Sequence, residues 1–142
     1  MENILVSACL LGVSCRYDGK SKANESVLAL RERYNLIPVC PEVFGGLPTP
    51  RTPSERVGER VVMKDGTDVT DNYERGADEA ERLCKIYGIK IAILKERSPS
   101  CGKGEIYDGT FSGALTARDG VAAERLIKMG VRVLGESEIN IL

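Results

Sequence analysis

The 142-residue chain contains no histidine. The commonest general base, proton shuttle and zinc ligand are therefore missing, and any catalysis falls to carboxylates, hydroxyls, lysines or thiols. It has no CxxC pair, the usual spacing of a structural zinc site. It has neither a Walker nor a GxGxxG pattern, which argues against a cradle for nucleotide phosphates. No apolar run approaches the ~20 residues of a membrane span. Charge of one sign is also scarce: 20 Lys and Arg against 21 Asp and Glu leave a net −1, without the basic excess of a nucleic-acid footprint. A small-molecule partner fits better than a polynucleotide or a membrane.

What is present is ordinary in bulk and unusual in detail. Hydrophobic residues at 42% and charged residues at 29% suit a soluble globular protein, and the length suits a single domain over residues 1–142. The opening "NILVSACLLGVSC" lacks a basic n-region and runs into polar sequence, so it reads as a strand and its exit loop rather than a leader. Five cysteines then point to a reducing, cytoplasmic setting, where thiols serve metals or chemistry more often than disulfides.

Apolar runs alternate with segments of helical period. "NILVSAC" from Asn3 predicts a buried strand. "SVLALRERY" predicts a helix capped by Asn24, with Val27, Leu28, Leu30 and Tyr34 on one face. "NLIPVC" is a second strand ending at Cys40, and Val43 to Glu59, rich in glycine and proline, a long surface loop covering the site. "RVVMKDGTDVT" predicts a hairpin turning at its Asp-Gly pair. Thr70 caps a long helix with Tyr73, Ala77, Ala80, Cys84 and Tyr87 along one stripe and Gly88 as its stop. "IKIAILK" is a third strand, "EIYDGTF" a short strand or hairpin, "TARDGVAAERLIKMG" a helix closed by Gly130, and "VRVLG" a fourth main strand. The pattern predicts an α/β three-layer sandwich with a mostly parallel sheet, Rossmann- or flavodoxin-like. Ligands of such sheets bind beyond the carboxyl ends of the strands.

At that edge the cysteines fall into place. Cys9 closes the first strand, Cys40 the second, and Cys101 follows the third in an open, polar turn, "SPSCG". Three thiols at one edge either pack as small apolar groups or hold a metal. Scattered thiolates without histidine suit an iron–sulfur cluster better than zinc, and three ligands on a four-iron cluster leave one iron open to a soft donor such as sulfur. Cys84 lies on the helix stripe and belongs to the core. Cys15 is a fourth ligand or a spare thiol. Glu42, fixed behind Pro41, is either an exposed loop residue or, with its pKa raised by the cluster region, a general base. Ser98 and Ser100 flank Pro99, where a hydroxyl orients water or substrate or merely makes a turn. Lys95 and Lys103 offer positive charge to an anion or are simply solvated.

"SACLLG" at Ser7 to Gly12, "RYDG" at Arg16 to Gly19, "PVCPE" at Pro38 to Glu42, "GGLPTPR" at Gly45 to Arg51 and "SPSCG" at Ser98 to Gly102 together resemble the thiouracil desulfidase family, over nearly the whole chain and in its short form. The resemblance implies a [4Fe-4S] cluster on Cys9, Cys40 and Cys101, with Glu42 and Ser98 as catalytic residues. It implies a redox-neutral reaction on a thiolated nucleobase such as 2- or 4-thiouracil, sulfur going to the open iron and oxygen coming from water. A thiolated RNA remains compatible as substrate. Arg51 and Lys103 are the expected substrate contacts, Arg51 facing the ligand. The rival expectations are a non-enzymatic zinc- or sulfur-binding module, with Cys15 completing four thiolates, and a sulfur transferase carrying a persulfide on Cys101.

Overall fold

A computed structural model describes residues 1–142. Four strands form a parallel sheet: β1 (Glu2–Ser7), β2 (Tyr34–Val39), β5 (Ile91–Leu94) and β8 (Arg132–Gly135), in the order β2-β1-β5-β8. Counted among themselves the four run 2-1-3-4, the flavodoxin-like order. The chain leaves β1 for one neighbour and later returns to its other side, so a topological switch lies between β1 and β5.

Alternation along β1 explains the layers. Ile4 and Val6 face a cluster with Leu10, Val27, Leu30, Ile93 and Leu134, while Leu5 faces the opposite cluster with Ala80, Cys84, Ala92, Ala123 and Leu126. The second cluster lies under α3 (Thr70–Tyr87) and α4 (Val121–Lys128). The first is covered by short turns: 3-10 helices at Ala8–Leu11, Ala29–Glu32 and Glu136–Ile141, and the single turn α1 (Glu25–Leu28). The three-layer expectation holds, and no helix is long and apolar enough to cross a membrane.

Several local expectations need correction. The helix expected over 26–34 is one α turn followed by a 3-10 turn, and Tyr34 begins β2. Asn24 does cap it, accepting a hydrogen bond from Val27 N–H at 3.0 Å. The expected 43–59 loop contains structure at both ends: α2 (Pro41–Phe44) opens it, and β3 (Ser54–Val57) pairs with β4 (Arg60–Met63). An unexpected hairpin thus turns at Gly58 and Glu59. The expected reversal at Asp65 and Gly66 is also present, with Met63 N–H bonded to Thr67 and Val62 bridged antiparallel to Asp68.

Thr70 starts α3 without capping it. Asp68 accepts from the Thr70 N–H at 2.8 Å, and the Thr70 hydroxyl turns to the Val61 backbone. Tyr73, Ala77, Ala80 and Cys84 are buried as expected, whereas Tyr87 is largely exposed. Gly88 ends the helix in the left-handed region at φ +63°. Thr116 pairs in a small hairpin of β6 (Ile106–Tyr107) and β7 (Leu115–Thr116), so α4 begins only at Val121.

Close approach of α2 to α3 positions the chain just after β2. A Cβ on Gly76 would overlap the Pro41 carbonyl, and one on Gly45 would overlap the Asn72 carbonyl. Gly76→Ala is expected to destabilise the fold by about 1–3 kcal/mol, the usual cost of overpacking, measured by urea denaturation. A variant as stable as the parent would mean that α2 can move away freely.

Candidate active site

The carboxyl ends of β1, β2 and β5 open onto one cavity of about 590 Å³, lined by Cys9, Cys15, Cys40, Glu42, Ser98 and Cys101 among others. The "SPSCG" loop is not the open turn its composition suggests. Ser100 and Cys101 are almost fully buried, because the loop is built into the start of α4. The N–H groups of Val121, Ala122 and Ala123, which a helix leaves without internal partners, donate to the carbonyls of Pro99 and Ser100 at 2.9–3.0 Å. Gly120 is required there, since a Cβ would press on the Ser98 and Ser100 backbone at 2.6–2.8 Å.

The three thiols differ in electrostatic setting. Burial pushes the Cys9 thiol up to about 11, with Cys40 adding to the rise and Lys95 opposing it. Burial likewise pushes Cys101 up to about 12, against a hydrogen bond donated by the Ser7 hydroxyl to its Sγ at 3.3 Å. Cys40 goes the other way. A hydrogen bond from the Cys15 thiol holds it below the ordinary thiol value, assisted by the Val43 N–H, while the same bond drives Cys15 up. Cys84, in the core under α3, is raised to about 11 by burial.

The donor set fits an iron–sulfur cluster. Cys9, Cys40 and Cys101 line one cavity, and thiols without histidine are the usual ligands of an iron–sulfur cluster; no three Cys, Asp or Glu side chains converge tightly enough for a single metal ion. Loading the cluster requires the buried Cys9 and Cys101 to lose their protons, so binding releases protons at neutral pH.

Glu42, on the first turn of α2, is mostly buried. Its Oε1 accepts from Arg51 Nε at 3.0 Å and its Oε2 from the Ser100 hydroxyl at 2.9 Å. Arg51 lies against the cavity, but its guanidinium is committed: Nη1 donates to the Pro48 carbonyl and Thr49 Oγ1, and Nη2 to the Cys15 carbonyl. It fastens loops to Glu42 while lining the cavity. Ser98 accepts from the N–H groups of Ser100 and Cys101 through its Oγ and reaches Glu42 only by way of Ser100.

Lys103 is set apart from this cavity, paired with Glu138 at 3.2 Å. Lys95 lines it, with Nζ held by Glu136 at 2.9 Å. Sequence reasoning left Ser100 between orienting water or substrate and making a turn, and it missed Ser7, which also accepts from the Lys95 N–H at 2.8 Å. A serine closing an apolar strand is the available signal for Ser7; nothing local separates Ser100 from Ser98.

A parallel α/β sheet with thiols, a carboxylate and hydroxyls at its switch point defines a class of thiol-ligated α/β enzyme sites. Comparison narrows the class. The model of the family described as 2-thiouracil desulfurase matches residues 4–138, and the chain belongs to that family and is a desulfidase by that membership. A Bacillus subtilis (strain 168) relative, the uncharacterized protein YbbK, is 42% identical over 147 residues, covering 96% of this chain and 97% of its own. A solved structure titled as the [4Fe-4S]-dependent thiouracil desulfidase TudS is 47% identical with a TM-score of 0.92, covering 100% of this chain and 95% of that one. This chain thus spans nearly the full length of both relatives.

The thiol settings predict reactivity in cluster-free protein. At neutral pH a lowered pKa gives more thiolate and faster alkylation. Iodoacetamide is therefore expected to label half-buried Cys40 first, with Cys9, Cys15, Cys84 and Cys101 lagging, as read by peptide mass spectrometry. Equal labelling of all five would contradict this ordering.

Proposed function

We propose that this chain is a cytoplasmic, single-domain desulfidase that carries a [4Fe-4S] cluster on Cys9, Cys40 and Cys101. It exchanges the sulfur of a small thiouracil-type compound for oxygen from water without net oxidation or reduction. The observation that supports it most is the convergence of these three thiols with Glu42 in one cavity. When bound, the cluster supplies a Lewis acid for a soft sulfur donor through an iron that no protein side chain holds. The rest of the reaction belongs to the chain.

Glu42 accepts the proton of the attacking water. Each of its carboxylate oxygens has one protein partner, and an ionised carboxylate has about four acceptor positions, so two remain. Arg51 keeps the carboxylate from swinging, since its guanidinium is itself held by two loops. Ser98 stands beside Cys101, its Oγ accepting from the Cys101 N–H. Burial of this polar row excludes bulk water and strengthens each charge–dipole contact. A thiocarbonyl and water give the carbonyl compound and hydrogen sulfide, which balances without an electron donor.

Anaerobically reconstituted protein is expected to bind about four irons with a broad visible absorption of cluster type and to convert 4-thiouracil to uracil with release of sulfide. Cys9→Ala, Cys40→Ala and Cys101→Ala each lose the iron, whereas Cys15→Ala retains it. Glu42→Gln keeps the iron and loses about 10²–10⁴-fold in turnover, the usual worth of a general base. Protein that takes up zinc but no iron would sink the cluster assignment, and undiminished sulfide release by Glu42→Gln would sink the base.

A further inference from the structure

Ser100 joins the two groups assigned to the chemistry, and its protons can be placed by counting. The Ser98 Oγ accepts from the N–H of Ser100 at 3.1 Å and of Cys101 at 3.0 Å. A hydroxyl has two acceptor positions and one proton, so both acceptor positions of Ser98 are filled. Its proton must be donated, and Ser100 Oγ lies 3.0 Å away. The Ser100 hydroxyl in turn donates to Glu42 Oε2 at 2.9 Å, since the carboxylate can only accept. The row therefore has one direction: Ser98 to Ser100 to Glu42.

We propose that Ser100 is a positioning residue for the desulfidase reaction, holding the Ser98 hydroxyl and the Glu42 carboxylate in one directed hydrogen-bonded row. This inference rests on the desulfidase assignment of the site. Two consequences follow from the count. Ser98 has no free acceptor position for a water, so a water proton passes to Glu42. Ser98 keeps one donor, which can serve substrate or water only by leaving Ser100.

Ser100 is built for such a task. It is 2% exposed, and its carbonyl accepts from the N–H groups of both Ala122 and Ala123. The tight contact at Gly120 fixes the same backbone. Its position is thus set by α4, on the far side of the loop from the cavity. With both acceptor positions of Ser98 filled, the alternative acceptor left for its hydroxyl is Cys101 Sγ, at 3.7 Å, a longer and weaker contact than the one to Glu42.

The test uses reconstituted Ser100→Ala, Ser100→Thr, Glu42→Gln and the Ser100→Ala/Glu42→Gln double variant. Ser100→Ala is expected to keep its iron, visible absorption and KM for 4-thiouracil. Its kcat falls about 10- to 100-fold, the value of one hydrogen bond to a charged group. Ser100→Thr, which keeps the hydroxyl, recovers most of that loss. The double variant is no slower than Glu42→Gln alone, as coupled members of one row require. Loss of iron in Ser100→Ala, a change confined to KM, or multiplying effects in the double variant would each overturn the proposal. A crystal structure of cluster-free Ser100→Ala gives an independent answer. The Ser98 hydroxyl and Glu42 carboxylate should both be displaced, and unmoved groups overturn the proposal. Failure of the parent protein to release sulfide would instead fall on the desulfidase assignment, while the cluster-free structure still decides the role of Ser100.

Discussion

The parallel pairing of β1 with β2 on one side and β5 on the other governs everything placed at the sheet edge. Ser7 stands level with Val39, and Val6 with Ile93. The residues that follow, Cys9, Cys40 and the loop to Cys101, therefore leave the sheet together. A one-residue slip would turn each apolar strand residue to the wrong face, and burial of Ile4, Leu5 and Val6 at 0% exposure opposes that slip. The same burial that sets the register thus sets the spacing of the thiols. Ser7 makes the coupling local, because its hydroxyl accepts from the backbone of Lys95 and donates to Cys101.

Beyond the sheet, the site depends on polar groups that are buried and nearly all partnered. An ion pair as enclosed as Arg51 with Glu42 gains little net stability, since both charges lose their water. Its effect is orientation: one guanidinium gathers acceptors from residues 15, 42, 48 and 49, so two loops and α2 share one geometry. Behind it lies Tyr73, on the buried face of α3. Its hydroxyl makes no well-formed hydrogen bond, though Ser54 and Glu42 lie close to it, and burial first, then Glu42, keeps it protonated. A neutral phenol packed behind the carboxylate supplies bulk without a competing charge.

The strands and the core stripe of α3 were legible because they are local periodicities. Ile4 to Val6, Ile91 to Leu94 and the run Tyr73, Ala77, Ala80, Cys84 announce burial by spacing alone. What the sequence hid was decided by distant partners. Segment 25–32 has a helical pattern, yet β2 begins at Tyr34 and leaves room only for short turns. Ser54–Val57 lacks an apolar period because its Glu55 is turned to the backbone N–H groups of Gly109 and Phe111. Ser98 and Ser100 look alike in "SPSCG". Only the fold separates them, bringing Glu42, 58 positions away, to Ser100. Lys103 suggested charge for an anion, and Glu138 from the C-terminal turn takes it.

The lack of histidine explains the form of this site better than it limits it. A histidine can pass a proton from one side of its ring to the other, whereas a carboxylate and hydroxyls must be arranged so that each lone pair has an assigned use. That arrangement tolerates little movement, which accounts for the close fit of α2 against Gly76 and of the Ser98–Cys101 turn against Gly120. A thiol-rich edge carries the matching constraint. Cys9 and Cys101 resist ionisation through burial, so thiolate forms there only when something replaces the lost solvation. The same enclosure that makes the thiols poor free nucleophiles therefore reserves them for a partner that replaces the lost solvation, and Glu42 and the serines are the polar groups set beside them.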